Sequence, residues 1–289
     1  MRPSLCKLGL GAAQFPLAAT ARGRAPELEV RDMLTQAARA GLGYLDAGAA
    51  TPKGEQLLGD QLPRPSSIHV LIRSIRGDRG PDAAEAEVRA TLARLRLTKA
   101  RAVVVQSASD LFAPSGQALW DRMKALRDEG LVEQVGVSVY ASDDPAGVAR
   151  RFKPDLMQAP ASLLDQRLLL DGSLIEVREM GVEVHLRSIF LNGLLFLPPD
   201  RVPAQLKGAA GRLSRARRMI AEGRSDPLQA ALGFALSRPE ADAVIVGAST
   251  AAELAAIIAA AASPPPDLEW DEMALDDPVA LDPHRWAAA

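Results

Sequence analysis

Val103-Val104-Val105-Gln106-Ser107 opens with three β-branched apolar residues in a row and then turns abruptly polar. A strand with one wet face alternates apolar and polar side chains. This run does not, so it reads as a strand covered on both faces, as in a parallel sheet packed between helices. Working outward, residues 102–106 have counterparts at 7–10, 43–46, 69–73, 134–139, 156–159, 182–187 and 243–246. The stretches between them have helical periodicity. Residues 29–40 place Val30, Met33, Leu34 and Ala37 on one stripe, and 82–94 do the same with Ala84, Val88 and Leu92. Residues 116–129 and 174–180 follow, and Pro81-Asp82 and Ser225-Asp226-Pro227 have the chemistry of helix starts. Eight strand–helix units in 289 residues suit an α/β chain closed into a (β/α)8 TIM barrel, with an open doubly wound sheet as the runner-up. The glycines of Gly9-Leu10-Gly11 precede Ala12-Ala13-Gln14, without the third glycine of a dinucleotide-binding fingerprint.

The expected organisation is one domain over residues 1–289, with 263–289 a tail packed on the barrel. The connection after the seventh strand, about 194–223, is long enough to be a lid or to carry its own helix. Net charge is -2, which predicts neither nucleic-acid nor membrane attachment. Within Arg212–Arg218 the apolar Leu213 and Ala216 recur at helical spacing, with Met219 next, so the arginines read as a solvated helix face. One cysteine, Cys6, excludes an internal disulfide, and three histidines leave little for a metal site. With no apolar run long enough to span a bilayer, the expectation is a soluble cytoplasmic chain whose partner is a small molecule.

Further motifs share one source. Leu8-Gly9-Leu10-Gly11, Gly41-Leu42-Gly43-Tyr44-Leu45-Asp46, Gly54-Glu55 with Leu57-Leu58-Gly59, and Gly130-Leu131-Val132 with Gly136-Val137-Ser138 occur in order. Gln158 before Leu163-Leu164-Asp165-Gln166-Arg167, Leu191-Asn192-Gly193-Leu194-Leu195 and Val244-Ile245-Val246-Gly247-Ala248-Ser249 continue the series. Together they resemble the aldo-keto reductase family from about Leu8 to Ala262. The resemblance implies a (β/α)8 barrel that binds a nicotinamide cofactor at the carboxyl ends of its strands and reduces aldehydes and ketones.

That family works through an aspartate, a tyrosine, a lysine and a histidine. The resemblance places them at Asp46, Thr51, Arg73 and Gln106, so three of the four types are replaced. A phenol with a pKa near ~10 can be tuned into an acid, whereas an aliphatic hydroxyl donates a hydrogen bond but holds its proton. Arg73 keeps the charge and cannot be deprotonated; Gln106 does not titrate. General acid–base catalysis contributes about 10²–10⁴-fold, so its loss would cripple reduction without preventing binding. Of the two tyrosines, Tyr44 shares a strand face with Asp46 and reads as barrel filler, and Tyr140 falls at a strand end. His185 precedes Arg187 by two and reads as a satisfied core histidine, with a substitute acid as the minority reading. His69 and His284 read as surface or tail residues.

By the same resemblance, Ser138 and Gln158 would hold the nicotinamide carboxamide, and Arg187 takes the place of an aromatic that stacks on the ring. Gly193 and Leu195 would run along the pyrophosphate, and Gly247 and Ser249 would offer backbone N–H groups at a helix start, although a plain helix cap accounts for them equally. Glu253 stands near the usual arginine and would repel a 2′-phosphate. The implied cofactor is NAD or NADP, with NAD favoured, and none if the site is degenerate. Three readings follow. The first is an aldo-keto reductase-like oxidoreductase with NAD(P)-linked carbonyl reduction impaired or lost, which could make it a pseudoenzyme. The second is an active oxidoreductase with rewired acid–base chemistry on a sugar-like or anionic substrate. The third is a non-catalytic binding partner in a carbohydrate pathway.

Overall fold

In the computed structural model, which describes residues 5–15, 26–48, 51–282 and 286, eight parallel strands close into a barrel in sequence order. They are β1 (Leu8–Gly11), β2 (Tyr44–Asp46), β3 (His69–Arg73), β4 (Ala100–Val105), β5 (Val132–Ser138), β6 (Leu156–Pro160), β7 (Glu183–Arg187) and β8 (Ala243–Gly247). Closure is made at β1, where Gly9 pairs with Tyr44 on one side and with Ile245 on the other. This rules out the open doubly wound sheet. The strands start and stop within two residues of the sequence expectation; β4, for example, begins at Ala100 and ends at Val105.

The helices are α1 (Pro26–Ala40), α2 (Pro52–Gln61), α3 (Pro81–Arg94), α4 (Ala108–Phe112), α5 (Gly116–Asp128) and α6 (Pro145–Phe152). They continue with α7 (Arg167–Leu170), α8 (Ser173–Glu179), α9 (Ala210–Glu222), α10 (Pro227–Ser237) and α11 (Ala251–Ala262). Val30, Met33, Leu34 and Ala37 form the buried stripe of α1, as their spacing requires. Asp226 caps α10 by accepting from the Leu228 and Gln229 amides at 2.8 and 3.0 Å. The long connection carries a helix of its own, α9. Its Leu213, Ala216 and Ile220 face inward, Arg212 and Arg215 pair with Asp276 and Glu272, and Arg217 turns back to the carbonyls of Leu194 and Leu195.

Apolar side chains fall into two groups. The larger lies between strands and helices and includes Val103 and Val105. The smaller is Leu71, Ala102, Val104 and Leu156, with Tyr44 packed against it, and fills the barrel interior. Strand parity fixes what lies on either side of this plug. On β3 the order toward the carboxyl end is His69, Leu71, Arg73; on β7 it is Glu183, His185, Arg187. Beyond β7 the chain turns through Ser188, Leu191, Asn192 and Gly193, all at positive φ.

Residues of the tail fold back: Gln166 donates to the Trp270 carbonyl at 2.7 Å and Arg167 to that of Leu281 at 3.2 Å. Met273, Leu275, Ala280 and Leu281 are buried. His284, with Pro283 and Arg285 beside it, lies outside the described residues. Among those described, no helix is long and apolar enough to cross a membrane, and no cluster of three or more His, Cys, Asp or Glu could hold a metal.

Candidate functional site

At the carboxyl ends of the strands, Asp46, Arg73 and Gln158 close a three-membered network. Arg73 Nη2 donates to Asp46 Oδ2 at 3.2 Å and to Gln158 Oε1 at 2.5 Å. Gln158 Nε2 donates to the same Asp46 oxygen at 2.9 Å, and the Gly48 amide donates to Asp46 Oδ1 at 2.9 Å. Burial alone would push the Asp46 carboxyl up. The charge of Arg73 and the hydrogen bonds from Gln158 and Gly48 outweigh it and hold the group below the usual carboxylate range. Gly48 is what lets Arg73 reach across: a Cβ there would lie 2.1 Å from Arg73 Cγ.

Arg187 sits beside this network. Its Nη2 donates to the Val139 carbonyl at 2.9 Å and its Nη1 to Ser188 Oγ at 3.3 Å. Its guanidinium lies 4.7 Å from the centre of the Tyr140 ring. Nε is buried with no partner. Burial lowers its pKa and the like charge of Arg73 adds to that, while Tyr140 and the charge of Asp46 oppose it; a guanidinium stays protonated regardless.

Two cavities open at this end. The first, about 640 Å³, is lined by Asp46, Arg73, Arg187, Gly193, Gly247, Ser249 and Glu253 among the residues expected from sequence. The others expected there do not line it. Thr51 is exposed and caps α2, its Oγ accepting from the Gly54 amide at 3.2 Å, with Pro52 in the first helical position. Gln106 is exposed just past β4. Ser138 and Gln158 pair in register on β5 and β6 and are 2% and 0% exposed. Leu195 is buried, and its carbonyl accepts from Arg217 Nε at 3.2 Å.

The start of α11 is filled from within. The Ser249 amide and hydroxyl both donate to Glu253 Oε2 at 2.7 Å. Thr250 Oγ1 accepts from the Glu253 amide at 3.1 Å, and the Ala251 amide donates to Glu29 Oε1 at 2.6 Å. Two carboxylates therefore already use the donors that an outside anion would take from this helix end. Glu29 has no counterpart in the sequence reading. The available signal was its place four residues before Met33 on the buried stripe of α1, where a carboxylate needs a partner. Gln14 was missed too; its Oε1 approaches Gly247 so closely that a Cβ there would lie 2.7 Å away. Phe190 and Phe196, ring centres 5.4 Å apart, supply an aromatic wall that the sequence reading did not foresee.

The phenol and imidazole of the barrel interior lie at the opposite end. Tyr44 Oη donates to Glu183 Oε1 at 2.9 Å and His185 Nε2 is 2.8 Å from the same oxygen. Their rings meet edge to face at 4.6 Å. His185 is thus partnered through one nitrogen, while Nδ1 is buried without a partner. Neither side chain lines the first cavity. Among the described residues, the only ionisable side chains that do are Asp46, Arg73, Arg187 and Glu253. Such a site can orient and bind polar ligands, and none of these four described groups is suited to giving up a proton near neutral pH.

Residues 7–274 match the model of the Aldo/keto reductase family. No curated protein matches the sequence. Solved structures with the same architecture include the aldo-keto reductase AKR11C1 of Bacillus halodurans. Its holo form is 20% identical at a TM-score of 0.73, covering 90% of this chain and 88% of that one. Its apo form is 21% identical at 0.70, covering 90% of each. A putative aldo-keto reductase of Pseudomonas aeruginosa is 19% identical at a TM-score of 0.63, covering 89% of this chain and 90% of that one. At these identities the likeness speaks for the fold.

Proposed function

The chain belongs to the aldo/keto reductase family, and from that premise we propose that it is a ligand-binding barrel of that family in which NAD(P)-linked carbonyl reduction is impaired or lost. The observation that carries this reading is the lining of the first cavity, where no tyrosine, histidine, lysine or cysteine stands among the described residues. Thr51, at the position the family resemblance gives to the acid, is an exposed helix cap. A hydroxyl that accepts from a backbone amide and has an aliphatic pKa gives no proton to a developing alkoxide. Arg73 occupies the lysine position with its charge set against Asp46.

The residues present do not fit a nicotinamide dinucleotide as they stand. Gln158 is fully buried with its amide engaged by Asp46 and Arg73. Arg187 brings a permanent cation to the place of the stacking aromatic, which disfavours the oxidised ring. Glu253 holds the Ser249 donors, and its charge opposes a phosphate at that helix start. Any residual affinity is expected to favour the form without a 2′-phosphate.

Titration of the purified protein with NADH and with NADPH, followed by fluorescence, tests this. Weak binding is expected, with NADH ahead. Tight NADPH binding together with ordinary turnover of simple aldehydes would end the proposal.

A further inference from the structure

Beside the first cavity lies a second, of about 600 Å³, in which neither Asp46 nor Arg73 takes part. The two share a wall that includes Arg187, Ser188, Leu191 and Asn192, in the segment where Ser188, Leu191 and Asn192 are held at positive φ. Such conformations are costly for residues other than glycine, and they collect where a ligand surface has to be shaped.

Charge singles out Arg187. Four arginines line the two cavities. Arg73 pairs with Asp46 at 3.2 Å, Arg76 with Asp110 at 3.3 Å, and Arg167 grips Asp165 with two nitrogens, each at 2.8 Å. Asp282, also in the second lining, has its charge set against Arg167 as well. Of these four, Arg187 alone has no carboxylate in salt-bridge reach. It is held by a carbonyl, a hydroxyl and an aromatic face. The Asp46 carboxylate offsets part of its charge from beyond salt-bridge distance; a desolvated cation with so little direct counter-charge is costly for a fold to keep, and an anion entering from solvent would reduce that cost. Each cavity carries two carboxylates, but the first sets Asp46 and Glu253 against two arginines and an apolar wall of Phe190, Phe196 and Ile257, whereas the second sets Asp165 and Asp282 against three arginines. The second presents Ser142, Ser188 and Asn192 beside Arg187, with Tyr140 fixing the guanidinium from below.

We propose that the second cavity binds a small hydroxylated organic acid, its carboxylate held by Arg187 and its hydroxyls by Ser142, Ser188 and Asn192. A planar fork matches a carboxylate, the volume suits a small molecule, and Ser142, Ser188 and Asn192 offer partners for hydroxyls. The site uses none of Asp46, Thr51, Arg73 or Gln106, and it shares Arg187 with the first cavity.

The test is calorimetric titration of the full chain with D-gluconate, with uncharged D-glucitol and with inorganic phosphate. It is repeated on Arg187→Gln and Arg187→Lys. Gluconate is expected to bind, glucitol at least tenfold more weakly, and phosphate weakly. Arg187→Gln should abolish gluconate binding, and Arg187→Lys should weaken it while keeping some, as the charge remains and the fork is lost. A crystal grown with gluconate should show its carboxylate within hydrogen-bond distance of Arg187, a readout that does not depend on any variant folding. No gluconate binding, equal binding of glucitol, unchanged binding by Arg187→Gln, or a carboxylate placed away from Arg187 would each overturn the site. Phosphate binding ahead of gluconate would overturn the assigned ligand class.

Discussion

The two ends of the barrel interior carry networks of much the same kind around a single carboxylate, and they differ in what surrounds it. At the mouth Asp46 is held by Arg73, Gln158 and the Gly48 amide. At the base Glu183 is held by Tyr44, His185, Gln134 at 2.9 Å and Arg101 at 3.3 Å. The Tyr44 phenol and the His185 imidazole belong to the base, whereas the first cavity belongs to the mouth, where the other phenol, Tyr140, lies outside its lining and against Arg187. Burial and the adjacent Glu183 raise the Tyr44 pKa above that of an ordinary phenol, the opposite of what an acid catalyst needs. Side-chain inventory therefore says little about chemistry. A tyrosine, a histidine, a carboxylate and a cation do meet in this barrel, but behind the apolar plug of Leu71, Ala102, Val104 and Leu156.

The sharpest break of this comparison is Asp46→Asn. It keeps the shape and the Gly48 contact but leaves Arg73, at 17% side-chain exposure, without its counter-charge. A loss of about 3 kcal/mol is expected in denaturant unfolding. A loss below about 1 kcal/mol would mean that water already screens the pair. Gly48→Ala comes next. The new Cβ would overlap the Arg73 stem, so Arg73 must leave Asp46, at about 2 kcal/mol. A crystal structure of that variant with Arg73 unmoved would contradict the argument from close approach.

The base is probed by pH. Burial alone would raise the Glu183 carboxyl, but hydrogen bonds from His185, Gln134 and Tyr44 bring it down to about 2, from 4.5. A group with a lowered folded pKa stabilises fully above its unfolded value and loses that contribution as pH falls through the folded one. Stability should therefore decline as pH drops from 4.5 toward 2, and Glu183→Gln should flatten part of that decline. Because Arg101 also pairs with Glu133, the cost of Glu183→Gln at pH 7 should be smaller than that of Asp46→Asn, about 1–2 kcal/mol. The smallest effect is expected from Glu253→Ala. It frees the Ser249 amide and hydroxyl and should raise affinity for inorganic pyrophosphate by about three- to fivefold, given the ~1 kcal/mol weight of a charge at a helix start. An unchanged affinity would show that Glu29 alone closes that end.

Much of this was legible in the sequence because strand parity is simple. The family resemblance set Asp46, Arg73 and Arg187 at the mouth, and because a residue two positions from another shares its face, Tyr44 follows Asp46 and His185 sits one layer below Arg187. The strands themselves were visible as unbroken apolar runs, because helices cover one face and the barrel interior the other. What was not legible lies in loops or depends on closure. Thr51 and Gln106 stand beyond strand ends, where no period fixes a direction, and Thr51 was claimed by the local demand of a helix start. Gln158 meets Asp46 only because the barrel brings β6 and β2 across a shared interior. Glu29 reaches α11 for the same reason: α1 and α11 become neighbours only once β1 and β8 pair.

Single-turnover reduction tests whether the first cavity works without a proton donor. The purified protein is incubated with excess NADH or NADPH and a reactive aldehyde from pH 5 to 9, and cofactor absorbance is followed. Consumption at the uncatalysed rate, with no pH optimum, is expected. Rapid oxidation of either cofactor, rising and falling with pH as an acid–base pair titrates, would contradict it.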